Sequence, residues 1–237
     1  MIEIKNFCKS YTKDKNVVDN LSLKVESGDI FGFVGHNGAG KTTTIKSIVG
    51  INDFDSGEIL IDGISIKENP IECKKIMAYV PDSPDLYEHL TGIEYLNFIA
   101  DVFEVSTKDR NIRIPKYAKT FEIDKNLGDP ISSYSHGMKQ KITIISALIH
   151  NPKIMVLDEP FVGLDPVSTY TLKEIINSMC SEGCSIFFST HILEVAEKLC
   201  NKVAIIKKGK LVACGDMKKV IKDKSLEDIF LEIDNNE

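Results

Sequence analysis

The chain has 237 residues, 43% of them hydrophobic and 27% charged, which suits one large globular domain or two small ones. That composition excludes a disordered chain, a collagen-like chain and a polytopic membrane protein, and no apolar run approaches the roughly 18–20 residues that span a bilayer. With 29 Lys and Arg against 35 Asp and Glu the net charge is −6, so nucleic acid is not expected as the primary partner, because phosphate backbones are bound by basic surfaces.

The opening run Met1-Ile2-Glu3-Ile4-Lys5 has no apolar stretch of the kind a signal peptide carries, so the chain is expected in the cytosol unless something holds it to a membrane. Ile2 and Ile4, and later Leu21, Leu23 and Val25, alternate with polar residues and predict half-buried antiparallel strands. The polar stretch from Tyr11 to Asn16 predicts a loop between them. After the turn Glu26-Ser27-Gly28-Asp29, the run Ile30-Phe31-Gly32-Phe33-Val34 reads as a fully buried strand. From Thr42 the period changes: Ile45, Ile48 and Val49 stand at helical spacing, and Gly50 stops the helix. Ser56-Gly57-Glu58 introduces another strand over 59–61, turned by Asp62-Gly63.

From about Pro81 to Asn151 strand-like runs vanish, and Leu96, Ile99, Ala100, Phe103 and then Ile142, Ile145, Ser146, Ile149 predict a helical insertion. After Pro152 strands and helices alternate: a strand over 154–157, a helix through Leu172, Ile175, Ile176 and Met179, a strand over 185–189, a helix over 192–200, and strands over 203–206 and 211–213. The tail from Asp216 predicts one or two short helices and fraying over 234–237. The six cysteines (Cys8, Cys73, Cys180, Cys184, Cys200, Cys214) include no CxxC pair, so reduced, mostly buried thiols are expected. The pattern as a whole is α/β, a mainly parallel covered sheet with an antiparallel lobe at its front.

Two stretches carry chemistry. Gly35-His36-Asn37-Gly38-Ala39-Gly40-Lys41-Thr42 fits G-x-x-x-x-G-K-[ST], with a buried strand before it and an amphipathic helix after it. Glycines let backbone N–H groups close around a phosphate, and the helix N-terminus adds partial positive charge. Lys41 supplies a cation for phosphate oxygens and Thr42 a hydroxyl for Mg²⁺. Further on, Ile154-Met155-Val156-Leu157-Asp158-Glu159 is an apolar strand ending in adjacent carboxylates. Asp158 suits the Mg²⁺ shell, and Glu159 is placed to polarise an attacking water.

With these motifs in this order, the sequence resembles the ATP-binding cassette transporter ATPases over essentially its whole length. Gly35 to Thr42 resembles the Walker A loop, Ile154 to Glu159 the Walker B strand with its catalytic glutamate, Gly163-Leu164-Asp165 the D-loop, and Thr190-His191 the switch histidine. Tyr134-Ser135-His136-Gly137-Met138 stands where the family has its L-S-G-G-Q signature, keeping Ser135 and Gly137, and Asp82 stands where glutamine is usual. The resemblance implies a P-loop NTPase fold whose helical insertion spans 82–151, between core segments 1–81 and 152–215, with a short tail over 216–237. It implies that ATP is held by Gly35, His36, Asn37, Gly38, Ala39, Gly40, Lys41, Thr42 and Thr43, with Tyr11 stacking on adenine. Ser135 and Gly137 would serve the nucleotide of a second subunit. Thr42, Asp158 and Asp82 would bind Mg²⁺, while Glu159, His191 and Lys41 would carry catalysis.

The implied partners are an integral membrane permease and a second copy of this chain or a related ATPase. Leu86 to Gly92 resembles the groove where the permease docks, and the Pro81-Asp82 variant and short C-terminus resemble ATPases of drug or antimicrobial-peptide export. Two other readings stand beside it: a soluble ATPase of the same superfamily, such as one for iron–sulfur cluster assembly, and a nucleotide sensor that does not hydrolyse.

Overall fold

The computed structural model describes residues 1–12 and 15–235. Two sheets organise the chain. The first is antiparallel, in the order β2-β1-β4-β5, from β1 (Ile2–Thr12), β2 (Lys15–Val25), β4 (Ser56–Ile61) and β5 (Ile64–Ser65). The second has the order β10-β9-β3-β8-β7-β6, from β3 (Ile30–Val34), β6 (Met77–Val80), β7 (Ile154–Asp158), β8 (Ser185–Thr190), β9 (Lys202–Lys207) and β10 (Lys210–Asp216). Its strands run parallel from β9 through β3, β8 and β7 to β6, and β10 joins β9 antiparallel.

Every residue of β3, β7 and β8 is buried, and because both faces of these strands are covered their middles read as apolar runs, with Asp158, Ser185, Ser189 and Thr190 as buried polar residues at the ends. Phe31, Phe33, Ile154, Val156 and Phe187 face one core, shared with Ile2, Ile4, Leu23 and Ile59 of the antiparallel sheet and with Ile45 and Ile48 of α1 (Lys41–Ile48). Ile30, Val34, Met155, Leu157, Ile186 and Phe188 face the other. That second core takes side chains from α3 (Gly92–Val102), α4 (Thr107–Thr120), α5 (His136–Leu148), α6 (Pro166–Ser181) and α7 (Leu193–Leu199). The small helix α2 (Pro70–Lys75) sits between β5 and β6, and α8 (Met217–Ile221) and α9 (Leu226–Asn235) form the tail.

Local chemistry starts the helices where they begin. Thr91 and Glu94 form a reciprocal capping box at α3. Ser106, Ser135 and Asp165 each accept a backbone N–H at the start of α4, α5 and α6. The predicted strands and helices after Pro152 all form. The stretch from Tyr11 to Asn16 differs from the expected loop: β1 continues to Thr12, β2 begins at Lys15, and Ser10 pairs with Asn16. An edge ladder exposed to water on one face tolerates polar residues, which hid it in the sequence. Residues 13–14 and the end of the expected frayed tail, 236–237, lie outside the described residues. The six cysteines are free, with Cys73, Cys184 and Cys200 buried. No described helix is long and apolar enough to cross a membrane.

Candidate active site

Because β3, β8, β7 and β6 are parallel neighbours, their C-terminal ends lie along one edge. Four pieces of chemistry leave that edge together: the glycine loop after β3, His191 after β8, Asp158 and Glu159 at the end of β7, and Asp82 just beyond β6. Ligands of open α/β sheets bind at such an edge.

The loop is shaped by what surrounds it. A Cβ on Gly35 would stand 2.5 Å from the Ile206 carbonyl oxygen on β9, so the chain can pass there only as glycine. Gly40, at φ +107°, turns the chain into α1. Lys41 then folds back, its Nζ donating to the carbonyls of Gly35 at 2.6 Å and His36 at 3.2 Å. Desolvation lowers the pKa of this buried amine, and the charges of Glu159 and Asp158 offset part of that shift.

Parity along β7 places Asp158 on the face of Ile154 and Val156, which is the face of α1. It is fully buried, and burial pushes its pKa up, with the Ser189 and Thr42 hydroxyls pulling the other way. Its Oδ1 accepts from Ser189 Oγ on the neighbouring strand, while Oδ2, buried, has no hydrogen-bond partner among the described residues. An orphaned carboxylate oxygen near a threonine hydroxyl is a donor set that fits Mg²⁺. Among the described residues no three His, Cys, Asp or Glu side chains converge to enclose a metal. A divalent ion here would therefore share its shell with nucleotide phosphates and water.

Glu159 sits at φ +49°, a left-handed backbone that costs a glutamate roughly 1–2 kcal/mol. Its N–H donates to Ser189, at 3.3 Å to the carbonyl and 3.2 Å to the hydroxyl. Its Oε1 lies 3.0 Å from His191 Nδ1 and 3.8 Å from Lys41 Nζ. Lys41, Asp158 and Glu159 line a cleft of about 210 Å³ together with Val17, Asn37, Gly38, Gly40, Thr42, Thr43 and Asp82, while His191, Gly35 and His36 line the neighbouring hollow.

Other expected residues lie apart from it. Tyr11 is exposed on β1, where its hydroxyl accepts from Asn52 Nδ2 at 2.9 Å, and it does not line the cleft. The His36 ring packs edge-on against Phe230 of α9, with centroids 4.6 Å apart. Ser135 caps α5, accepting from Met138 N at 3.3 Å, and neither it nor Gly137 borders the cleft. Ser189 and Val17 were missed by sequence reasoning. Ser189 precedes the Thr190-His191 pair, but its role depends on β8 lying beside β7.

A phosphate loop between a buried strand and a helix, facing a buried aspartate and an adjacent glutamate across a parallel sheet, defines a P-loop NTPase. Residues 18–162 match the family model of the ABC transporters. The ATP-binding protein EcsA of Bacillus subtilis (strain 168) is 35% identical over 98% of this chain and 96% of its own length. From the same organism, the linearmycin resistance ATP-binding protein LnrL is 33% identical over 91% of this chain and 69% of its own length. A solved structure of an ATP-binding subunit of an ABC transporter superposes with a TM-score of 0.94, at 33% identity, over 99% of each chain. The chain belongs to the ABC transporter family, as an ATP-binding subunit that hydrolyses ATP. These relatives do not favour a soluble assembly ATPase.

Proposed function

We propose that this chain drives a substrate, in the export direction, through a separate membrane permease by pairing head to tail with a second ATPase chain around ATP. One observation carries the reading. The cleft gathers Lys41, Thr42, Asp158 and Glu159, but the cap of α5 at Ser135, a helix N-terminus of the kind that suits an anion, stands outside it. A second chain, related by a two-fold axis, would bring its own Ser135 and Gly137 to the open side, making two equal sites. Differential affinity of the paired and separated states for ATP is then the energy source.

Within a site, the loop from Gly35 to Thr43 and the start of α1 hold the phosphates, and Lys41 turns from its loop carbonyls to their oxygens. Thr42, Asp158 and Asp82 would hold Mg²⁺, which neutralises phosphate charge when bound. Glu159 takes the proton of the attacking water, and an Nδ1–H tautomer of His191 donates to Oε1 and holds the carboxylate in place. Tyr11, exposed on β1 outside the phosphate cleft, would offer its ring to the adenine beyond it.

The core segments 1–81 and 152–215 carry this chemistry apart from Asp82, the insertion 82–151 begins with Asp82 and carries the signature, and a short tail follows from 216. Permease docking is supported by a hollow of about 330 Å³, lined by Ile51, Leu86, Tyr95, Ile99 and Phe103, where core and insertion meet. Exposed Tyr87, Phe98 and Val102 lie on the insertion beside these lining residues, an apolar surface suited to a partner. That partner would hold the chain at the inner face of the membrane. Export is supported by the name of LnrL, a resistance protein.

Light scattering on Glu159→Gln tests the pairing. Mass should double from 26.4 kDa when ATP is added and stay single with ADP. A single-chain mass in saturating ATP would refute the head-to-tail site.

A further inference from the structure

The helix that starts at Ser135 is fastened to the loop that follows Glu159. Lys141 Nζ lies 2.9 Å from Asp165 Oδ2. Gln140, fully buried, donates from Nε2 to the Pro160 carbonyl at 3.4 Å. A Cβ on Gly163 would come within 2.5 Å of the His136 ring, and one on Gly137 within 2.9 Å of the Gly163 carbonyl oxygen. Helix end and loop therefore touch as closely as glycines allow, with Gly163 at φ +81°. The loop's other anchor is Phe161, buried edge-on against Phe188 of β8.

Glu159 needs such a hold. Its left-handed backbone is not one a glutamate keeps unaided, and the N–H of Val162 closes a turn onto its carbonyl at 3.1 Å. The backbone that aims the carboxylate at the cleft is therefore held on one side by Ser189, through the Glu159 N–H, and on the other by loop 160–165, through the Glu159 carbonyl. Asp165 is the far pin. It caps α6 through Ser168 N at 2.8 Å and takes the Lys141 ammonium on its second oxygen.

We propose that Lys141 is a positioning residue for hydrolysis: from α5, through Asp165, it holds loop 160–165 and with it the backbone of Glu159. The proposal rests on the reading of Glu159 as the general base. It has a consequence for a paired molecule. Ser135 and Lys141 share the first two turns of α5, so docking of Ser135 on the other chain's nucleotide bears on this chain's own Glu159, in the opposite site.

The test is a mutant cycle on the purified chain, reading kcat and KM for ATP together with nucleotide affinity. Lys141→Gln should lower kcat about three- to tenfold at unchanged KM and affinity, because only the aim of Glu159 is disturbed. Lys141→Arg should restore it. Asp165→Asn, which keeps a helix cap, should lower kcat by the same factor. The double variant should be no worse than either single one, as expected for two residues acting as a pair. Wild-type kcat in Lys141→Gln, failure of arginine to rescue, or losses that multiply in the double variant would overturn the proposal. Glu159→Gln, run in parallel, separates the two readings. If it alone hydrolyses ATP at the wild-type rate, the base assignment fails; if it is inactive while Lys141→Gln is normal, only the positioning role fails.

Discussion

Gly35 has room for a hydrogen and nothing larger, because the Ile206 carbonyl occupies the place of a Cβ. Gly35→Ala should cost about 1–3 kcal/mol by overpacking and lower the melting temperature by several degrees in a thermal scan. Lys41 tests the phosphate cradle. Losing a charge-assisted contact worth about 1.5–3 kcal/mol should weaken ATP binding of Lys41→Ala about ten- to a hundredfold in a nucleotide titration. His150 has no part in the chemistry but gives the fold an acid limit. Its ring stacks on Phe103 at 3.8 Å, neither nitrogen has a hydrogen-bond partner among the described residues, and burial pushes its pKa down to about 4. The unfolded chain therefore takes up this proton before the folded one does. The contribution is whole above the ordinary value of 6.5 and is lost as pH falls through about 4. Partial exposure of the ring limits it to about 1–2 kcal/mol, and His150→Phe should flatten that slope in denaturation curves taken between those limits. The site residues Lys41, Thr42, Asp158 and Glu159 were legible because each stands in a short local motif. Ser189 was not, because its bonds to Asp158 and Glu159 cross between strands 30 and 31 residues apart.

At the scale of elements, caps and strand register do most of the placing. Thr91 and Glu94 satisfy each other's backbone at the start of α3, so Thr91→Ala should cost about 1 kcal/mol, read as a shift in the denaturation midpoint at unchanged slope. The elements after Pro152 were legible because each is long enough for its period to show. The short strand β6 was not, since the four residues Met77–Val80 carry no period of their own. Its place is decided by pairing with β7, from Met77 beside Ile154 to Val80 beside Leu157. That pairing is what carries Asp82 to the cleft. The ladder through Tyr11 was hidden for a related reason. Its partners are on the neighbouring strand, and its own residues are polar.

At the scale of the molecule, one parallel sheet separates two cores and gathers the chemistry along one edge. No described helix is long and apolar enough to cross a membrane, and Tyr87, Phe98 and Ile51 are exposed apolar side chains on the molecule's surface. The helical insertion was legible as a change of period, but its fastening to loop 160–165 was not. That contact depends on three-dimensional closeness of α5 and the segment after β7, which no spacing in the chain encodes. The central claim is that Glu159, held between His191 and Lys41, removes the proton from the attacking water. Phosphate release by Glu159→Gln at saturating ATP tests it most directly. The expected rate is at least about a hundredfold below wild type, in the usual range for loss of a general base, with ATP still bound. A wild-type rate of phosphate release would contradict it.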